Sequence, residues 1–156
     1  MSNFEDAVIQ RIKQLEREVE RLQKWERPIN KIYFAMSNTT WNFKPGNTNL
    51  FIVDSMSLSN VVVPTGHNLL VEFDAIGYFS DIYGANIYLY NGTTLMFTFG
   101  APMRMNVASA RAGFHYSYRI TSAGTYNLSI QCTANGHTSV DMDFLTRSLK
   151  ATVIQE

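Results

Sequence analysis

The sequence predicts a mainly β protein in which an antiparallel β-sandwich follows an N-terminal α-helix. Three observations carry this prediction. Residues 5–27 are rich in Glu, Arg, Lys and Gln, hold no Gly or Pro, and repeat apolar residues at helical spacing. From Ile29 onward, short runs with alternating apolar residues are separated by Asn, Asp, Gly and Pro. The turn signals recur at intervals of about 8–12 residues, which is typical of sandwiches and barrels.

The composition indicates one folded head plus a short appendage. The 156 residues are 46% hydrophobic and 17% charged, enough apolar surface for a compact core. Thirteen basic and thirteen acidic residues give zero formal charge, so we expect no nucleic-acid partner. No apolar run reaches the about 20 residues of a membrane span, so no membrane insertion is expected. The start lacks the features of a secretion signal, which predicts a soluble protein made in a cytoplasm.

The helix is predicted to form a coiled coil. Pro28 forbids its continuation, which divides the chain into a stalk at 1–27 and a head at 28–156. Apolar residues recur at alternating intervals of four and three, the period of a coiled-coil seam, at Val8, Ile12, Leu15, Val19 and Leu22. The alternative is an amphipathic helix that packs on its own head. The narrow stripe, surrounded by charged and amide residues, favours association between chains.

Two features of the sequence bear on the number of chains in the coil, and they disagree. Ile12 and Val19 at a positions with Leu at d favour a dimer. The run from Arg11 to Glu16 resembles the Arg-apolar-x-x-apolar-Glu signature of three-stranded coils in trimeric viral and matrix proteins. There Arg11 would lie along the seam and pair with Glu16 of a neighbouring chain. We favour a homotrimer in which Trp25 plugs the junction between stalk and head.

The head is predicted to contain eleven short strands, at 30–36, 49–55, 60–63, 68–80, 84–91, 94–99, 101–109, 112–121, 124–133, 137–143 and 147–155. Asn-Gly pairs at 91–92 and 135–136 predict two hairpins, because both central residues of a type I′ turn need positive φ. Further turns are expected at 64–66 and 122–124.

Alternation also predicts which faces of two late strands are buried. One apolar face comprises Phe114, Tyr116, Tyr118 and Ile120, and the other comprises Tyr126, Leu128, Ile130 and Cys132. We expect these two strands to lie side by side as a meander. A two-sheet, jelly-roll-like sandwich fits the whole pattern best.

The order of stalk and sandwich resembles the trimeric fibres, receptor-binding proteins and head fibres of tailed phages, and by architecture the tumour-necrosis-factor and complement heads. Residues 122–129 and the closing stretch 145–156 are similar to late strands of small phage sandwich proteins. The resemblance implies a virion protein made in the host cytoplasm. Its N-terminus would contact other virion proteins, and its head would bind a host-surface glycan or protein. The alternative is a capsid decoration protein, which the absence of shaft repeats favours.

No pattern in the sequence indicates catalysis, a metal or a cofactor. His67, His115 and His137 lie far apart and form no spaced pair of metal ligands. Asp141 and Asp143 would share one strand face, but glycoside cleavage needs two carboxyls across a cleft, so we assign them to solvation. The sequence therefore predicts a protein with no enzymatic activity, no metal and no cofactor.

Loop aromatics are the candidates for receptor binding, because exposed rings stack on sugars or anchor protein partners. Tyr83 lies beside Gly84 in the aromatic-rich segment 78–90, and Trp41 lies in a Thr- and Asn-rich stretch. Packing in the core or at a subunit interface is the alternative for Trp41. Core packing is the expected role of most other rings in 78–90.

Overall fold

A computed structural model describes residues 3–25, 31–43, 50–80, 86–100, 111–133 and 141–155. Within these residues the chain forms one helix, α1 (Asn3–Trp25), and nine strands. The strands are β1 (Ile32–Ser37), β2 (Trp41–Phe43), β3 (Phe51–Val63), β4 (His67–Ser80), β5 (Asn86–Asn91), β6 (Thr94–Gly100), β7 (Arg111–Ile120), β8 (Gly124–Thr133) and β9 (Asp141–Gln155).

The helix has the extent that the sequence predicts. It begins in the polar N-terminal residues and ends at Trp25, three residues before Pro28. The predicted boundary between stalk and head, at 27/28, lies outside the described residues. The described helix does not combine the length and the hydropathy of a membrane span.

The nine described strands form two antiparallel sheets around one core, which confirms the predicted β-sandwich. Sheet A has the order β1-β9-β4-β7, with β2 also paired to β9, and sheet B has the order β3-β8-β5-β6. Alternation places every second side chain between the sheets. On β4, for example, Leu69, Val71 and Phe73 are fully buried. Each such residue contributes about 1.5–3 kcal/mol of hydrophobic stabilisation.

Stacked aromatic rings close one side of the sandwich, where strand β6 of sheet B faces β7 of sheet A. Phe97 stacks on Tyr118 with ring centroids 4.5 Å apart, and Phe99 stacks on Tyr116 at 5.0 Å. Burial raises the pKa of Tyr116 above its usual value. The predicted inward face of residues 114–120 is therefore confirmed.

The predicted meander of the two late strands is wrong. Strand β7 pairs with β4 in sheet A, whereas β8 pairs with β3 and β5 in sheet B. The predicted turn at 122–124 therefore crosses between the sheets. Alternation identifies the buried face of each strand, but it carries no information on which strand is its neighbour.

In two places, two consecutive predicted strands are parts of one long strand. Residues 51–55 of the first predicted strand, 49–55, and all of the second, 60–63, belong to β3, whose register shifts twice. Ser55 and Asn60 take positive φ values of 62° and 55°, and such irregularities interrupt the alternation on which the prediction depended. Similarly, the described part of the predicted strand 137–143 and the predicted strand 147–155 both belong to β9, while 137–140 lie outside the described residues. The sequence analysis missed β2, and the predicted strand 101–109 lies outside the described residues.

One of the two predicted hairpins is confirmed. Strands β5 and β6 pair through a tight turn in which Asn91 lies opposite Thr94, so Gly92 and Thr93 are its central residues. Gly92 has a φ of 57°, whereas Asn91 does not have a positive φ, so the turn lies one residue further along than predicted. The predicted hairpin at 135–136 is wrong, because β8 and β9, the strands that it would join, belong to different sheets.

Strand directions define two ends of the sandwich. We call the end where β1 begins, at Ile32, the stalk end; β9 finishes there, and the short turns at 64–66 and 121–123 lie there too. The opposite end is the distal end. Four longer connections start and finish at strand ends located there, namely 44–49, 81–85, 101–110 and 134–140.

Candidate functional site

The apolar stripe of helix α1 is exposed. Val8, Ile12, Leu15 and Val19 retain between 42% and 51% of their accessible surface. None of them belongs to the hydrophobic core of the sandwich. Most of the stability of a helix in a protein comes from packing its amphipathic face, so covering this stripe is expected to stabilise the 23-residue α1. Leu22 and Trp25 also lie on α1, but their side chains are outside the described part of the molecule.

The charged residues of the predicted trimer signature both lie on the surface of α1. Arg11 Nη1 donates a hydrogen bond to Gln14 Oε1 at 2.9 Å, within the same helix. Glu16 is exposed one turn further along. The ion pair between Arg11 and Glu16 of a neighbouring chain stays a prediction, because it requires a second copy.

Trp41 anchors β2 to the distal half of the core. Its ring lies 5.8 Å from that of Phe43 and 5.5 Å from that of Phe144, both of which are buried. The Trp41 side chain is half-buried. These contacts support the alternative role of a packing residue, while the exposed part of the ring is available to a ligand.

Tyr83 lies outside the described residues, yet the strands on either side locate its connection. Strand β4 ends at Ser80 and β5 begins at Asn86, both at the distal end. Trp41 lies on β2, which pairs with the first residues of β9 at the same end. The two receptor-binding candidates therefore belong to the same end of the sandwich, although no contact between them is described.

Two rings of the aromatic segment face outward. Ile87 and Leu89 are fully buried, so their neighbours Tyr88 and Tyr90 lie on the outer face of sheet B. Both tyrosines are half-buried, and their rings meet edge to face with centroids 6.4 Å apart. Gln131 lies opposite Tyr88 on β8. The sequence pattern left open which pair of β5 residues points inward.

A buried arginine joins the two sheets, and the sequence analysis missed it. The Arg147 side chain is fully buried on the inner face of β9. Its Nε donates to the Asp54 carbonyl at 2.7 Å, Nη1 to the Thr39 carbonyl at 2.8 Å, and Nη2 to Asp54 Oδ2 at 2.7 Å. Arg147 thereby holds the β1–β2 connection against the irregular part of β3. Its position, in step with Leu149, Ala151 and Val153, was the available signal.

The histidines and paired acids do not assemble into a reactive site within the described residues. His115 Nδ1 lies 2.7 Å from Asp74 Oδ1 on the exposed face of sheet A, and His67 Nδ1 lies 3.2 Å from the Thr65 carbonyl. Asp143 accepts a hydrogen bond from Asn42. His137 and the side chain of Asp141 lie outside the described part. No described group of three or more His, Cys, Asp or Glu side chains could hold a metal ion.

The single cysteine is buried in the core. Cys132 has no exposed surface, and burial raises the pKa of its thiol to about 12. A thiol with this pKa is protonated at neutral pH and is therefore a poor nucleophile.

No protein-family model matches this chain, and no curated protein does. Seventeen chains of solved structures resemble it, among them the following two. Dimeric latent PorU from Porphyromonas gingivalis aligns with 83% of this chain at 12% identity and a TM-score of 0.49. The infectious bursal disease virus Gx strain aligns with 83% of this chain at 16% identity and a TM-score of 0.44. The aligned regions cover 13% and 33% of those chains, respectively.

Proposed function

We propose that this chain is a non-enzymatic, homotrimeric virion protein of a tailed phage, with a coiled-coil stalk and a head that binds a host-surface receptor. The observation that carries the proposal is the exposed apolar stripe of α1 beside a sandwich whose own core is already filled. A monomer would leave this stripe in water, whereas a bundle of copies buries it.

The coiled coil is supported by the geometry of the stripe. Its described residues recur every three or four positions along one side of α1, and the neighbouring described positions are exposed and, apart from Ile9, polar. The exposed Arg11 and Glu16 flank the stripe, where an ion pair between chains can form across the seam. These features favour three chains, while the β-branched residues at a positions leave the dimer as the alternative.

The finer fold of the head is a jelly roll. The pairs β1–β9, β3–β8, β4–β7 and β5–β6 are nested, so the chain is one long antiparallel ribbon folded back on itself. Rolling up this ribbon adds the pairs β4–β9 and β5–β8, which complete the two sheets; the short β2 lies outside the ribbon and pairs with β9. Eight strands divided between two sheets in this way are typical of jelly rolls, which occur in viral capsid proteins and lectins.

Receptor binding is assigned to the side of the head away from the stalk. Trp41 lies on a strand at the distal end, and the connection that carries Tyr83 starts and finishes there. The outward-facing Tyr88 and Tyr90 add aromatic surface on sheet B. Aromatic rings bind sugar faces and protein side chains alike. Three heads on one stalk convert weak single contacts into firm attachment.

The second candidate is a capsid decoration protein docked through its N-terminus. The length of α1 favours it, since 23 helical residues span only about 35 Å. Fluorescently labelled protein, applied to a panel of intact bacteria and to empty phage capsids, separates the two roles. Binding to cells supports the receptor-binding fibre, and binding only to capsids supports decoration.

The trimer itself is tested by the mass of the full chain in solution. We expect light scattering to give three times the 17.7 kDa of one chain. Leu15→Asp places a charge in the seam and is expected to yield monomers at micromolar concentration. The matched control is Gln10→Asp on the opposite side of α1, which should leave the trimer intact. A monomeric wild-type chain would contradict the proposal.

A further inference from the structure

Strand β1 displays three large apolar side chains on the outer face of sheet A. Ile32, Phe34 and Met36 are 57%, 56% and 58% exposed, and we call them the β1 stripe. The residues between them, Tyr33 and Ala35, pack against the core instead. An exposed row of apolar side chains on an edge strand favours association, because covering it with a partner removes apolar surface from water.

The β1 stripe lies at an edge of the sheet and is held firmly. Among the described strands, β1 pairs only with β9. The Tyr33 hydroxyl accepts a hydrogen bond from the Val62 backbone N–H at 3.0 Å, which fixes β1 to β3. The stripe is therefore a preformed surface that a partner can contact without rearrangement of the strand.

The residues of β9 that lie opposite the β1 stripe carry no unpaired charge. Ile32 lies opposite Thr152, and Met36 lies opposite Ser148. Lys150, opposite Phe34, donates to Glu72 Oε2 at 2.8 Å and is thereby neutralised. Identical surfaces that approach one another meet no like-charge repulsion from these neighbours, which suits a contact between copies.

The stripe also begins where the chain leaves the stalk. Seven residue steps separate Trp25, the last residue of α1, from Ile32, and they span at most about 25 Å. Helices that associate side by side lie about 8–10 Å apart. Assembly of the stalk therefore brings the β1 strands of different copies close together, at the high effective concentration of a short tether.

We infer that the β1 stripe is a second contact between copies of this chain, packing against the β1 stripes of its neighbours around the axis of the stalk. This inference rests on the proposed trimer and extends it from the stalk to the heads. Residues that lie at a threefold axis meet their counterparts in the other copies, so stripes packed along this axis bring Phe34 and Met36 of each copy together. The distal end and sheet B are then left on the outside of the assembly.

Cross-linking tests whether the stripes meet. Met36→Cys is compared in the full chain with Leu95→Cys, because Leu95 is 48% exposed on the edge strand of the other sheet. Under oxidation by copper–phenanthroline we expect Met36→Cys to form covalent dimers at least ten times faster than Leu95→Cys. Cys132 is buried in both variants and serves as a constant background.

Charge substitution supplies an independent measurement. Phe34→Glu is expected to raise the dissociation constant of the trimer at least tenfold in a dilution series, whereas Leu95→Glu should leave it unchanged. Phe34 is exposed, so the variant head should retain its near-ultraviolet circular dichroism. A trimeric wild type with equal cross-linking rates at 36 and 95, and equal dissociation constants for the two Glu variants, would overturn the β1 contact alone. A monomeric wild type would overturn the proposed trimer and this contact with it.

Discussion

Helix α1 and the β-sandwich both carry regularly spaced apolar residues, but only the sandwich buries them within one chain. Phe73, Leu89 and Leu149 have no exposed surface, whereas Ile12 and Val19 keep about half of theirs. The difference lies in topology. A strand finds a second apolar face in the opposite sheet, while the helix has no described partner in the core. The sandwich can therefore fold as a unit, whereas we propose that the helix is stabilised by other copies.

The largest effect is expected from a substitution in the core of the sandwich, which tests whether the head is stable without the helix. Phe73→Ala should lower the free energy of unfolding of the head by about 3–5 kcal/mol, because it removes a fully buried ring and leaves a cavity. Urea denaturation followed by the fluorescence of Trp41, in a Trp25→Phe background, measures this change. Leu15→Ala in the same background, compared at concentrations at which both proteins are monomeric, should leave the head transition unchanged within about 0.5 kcal/mol. A large shift with Leu15→Ala would show that α1 packs on its own head.

A smaller loss is expected at the polar contact inside the sandwich. Arg147→Met should cost about 3 kcal/mol, because it leaves the Thr39 and Asp54 carbonyl oxygens without their buried donor. The half-exposed Asp54 carboxylate can regain water, which limits the loss. Arg119→Met, on the exposed face of β7, is the matched control and should cost less than about 0.5 kcal/mol. Equal costs at the two positions would contradict the role given to Arg147.

The smallest effect is a pH dependence from the buried thiol. Burial raises the pKa of Cys132 from 9.0 to about 12, so the folded state favours the protonated thiol. The sign follows from linkage: this contribution is complete below pH 9 and is lost as pH rises toward 12. The stability advantage of wild type over Cys132→Ala should therefore narrow by about 1 kcal/mol between pH 9 and pH 10. An advantage that is constant from pH 8 to 11 would contradict this.

Local elements of the molecule could be predicted from the sequence because local spacing specifies them. Pro28 and the heptad pattern gave the extent of α1, and alternation gave the inward faces of β7 and β8. The pairing of β7 with β4 could not be predicted, because alternation is the same whichever strand lies alongside. The nested strand order is a property of the whole chain, and no short segment encodes it.

The candidate site was predicted less completely than the fold. The helix stripe followed directly from heptad spacing, and its described residues are exposed as an interface between chains requires. Arg147 was missed because an arginine in a strand is usually solvated. Only its place two residues before Leu149, and hence on the same face of the strand, indicated burial. The β1 stripe was missed for a related reason. An apolar run such as 32–36 does not show which of its residues face outward.

The position of β9 sets the timing of assembly during synthesis. This last strand lies inside sheet A, where it pairs with β1, β2 and β4, so the sheet cannot close until residues 141–155 have left the ribosome. Helix α1 emerges first, about 130 residues earlier. At translation rates of about 5–20 residues per second, the helices are available to meet for many seconds before any head is complete. If the chain forms the proposed trimer, chains translated side by side from one messenger can therefore associate through their stalks before their heads have folded.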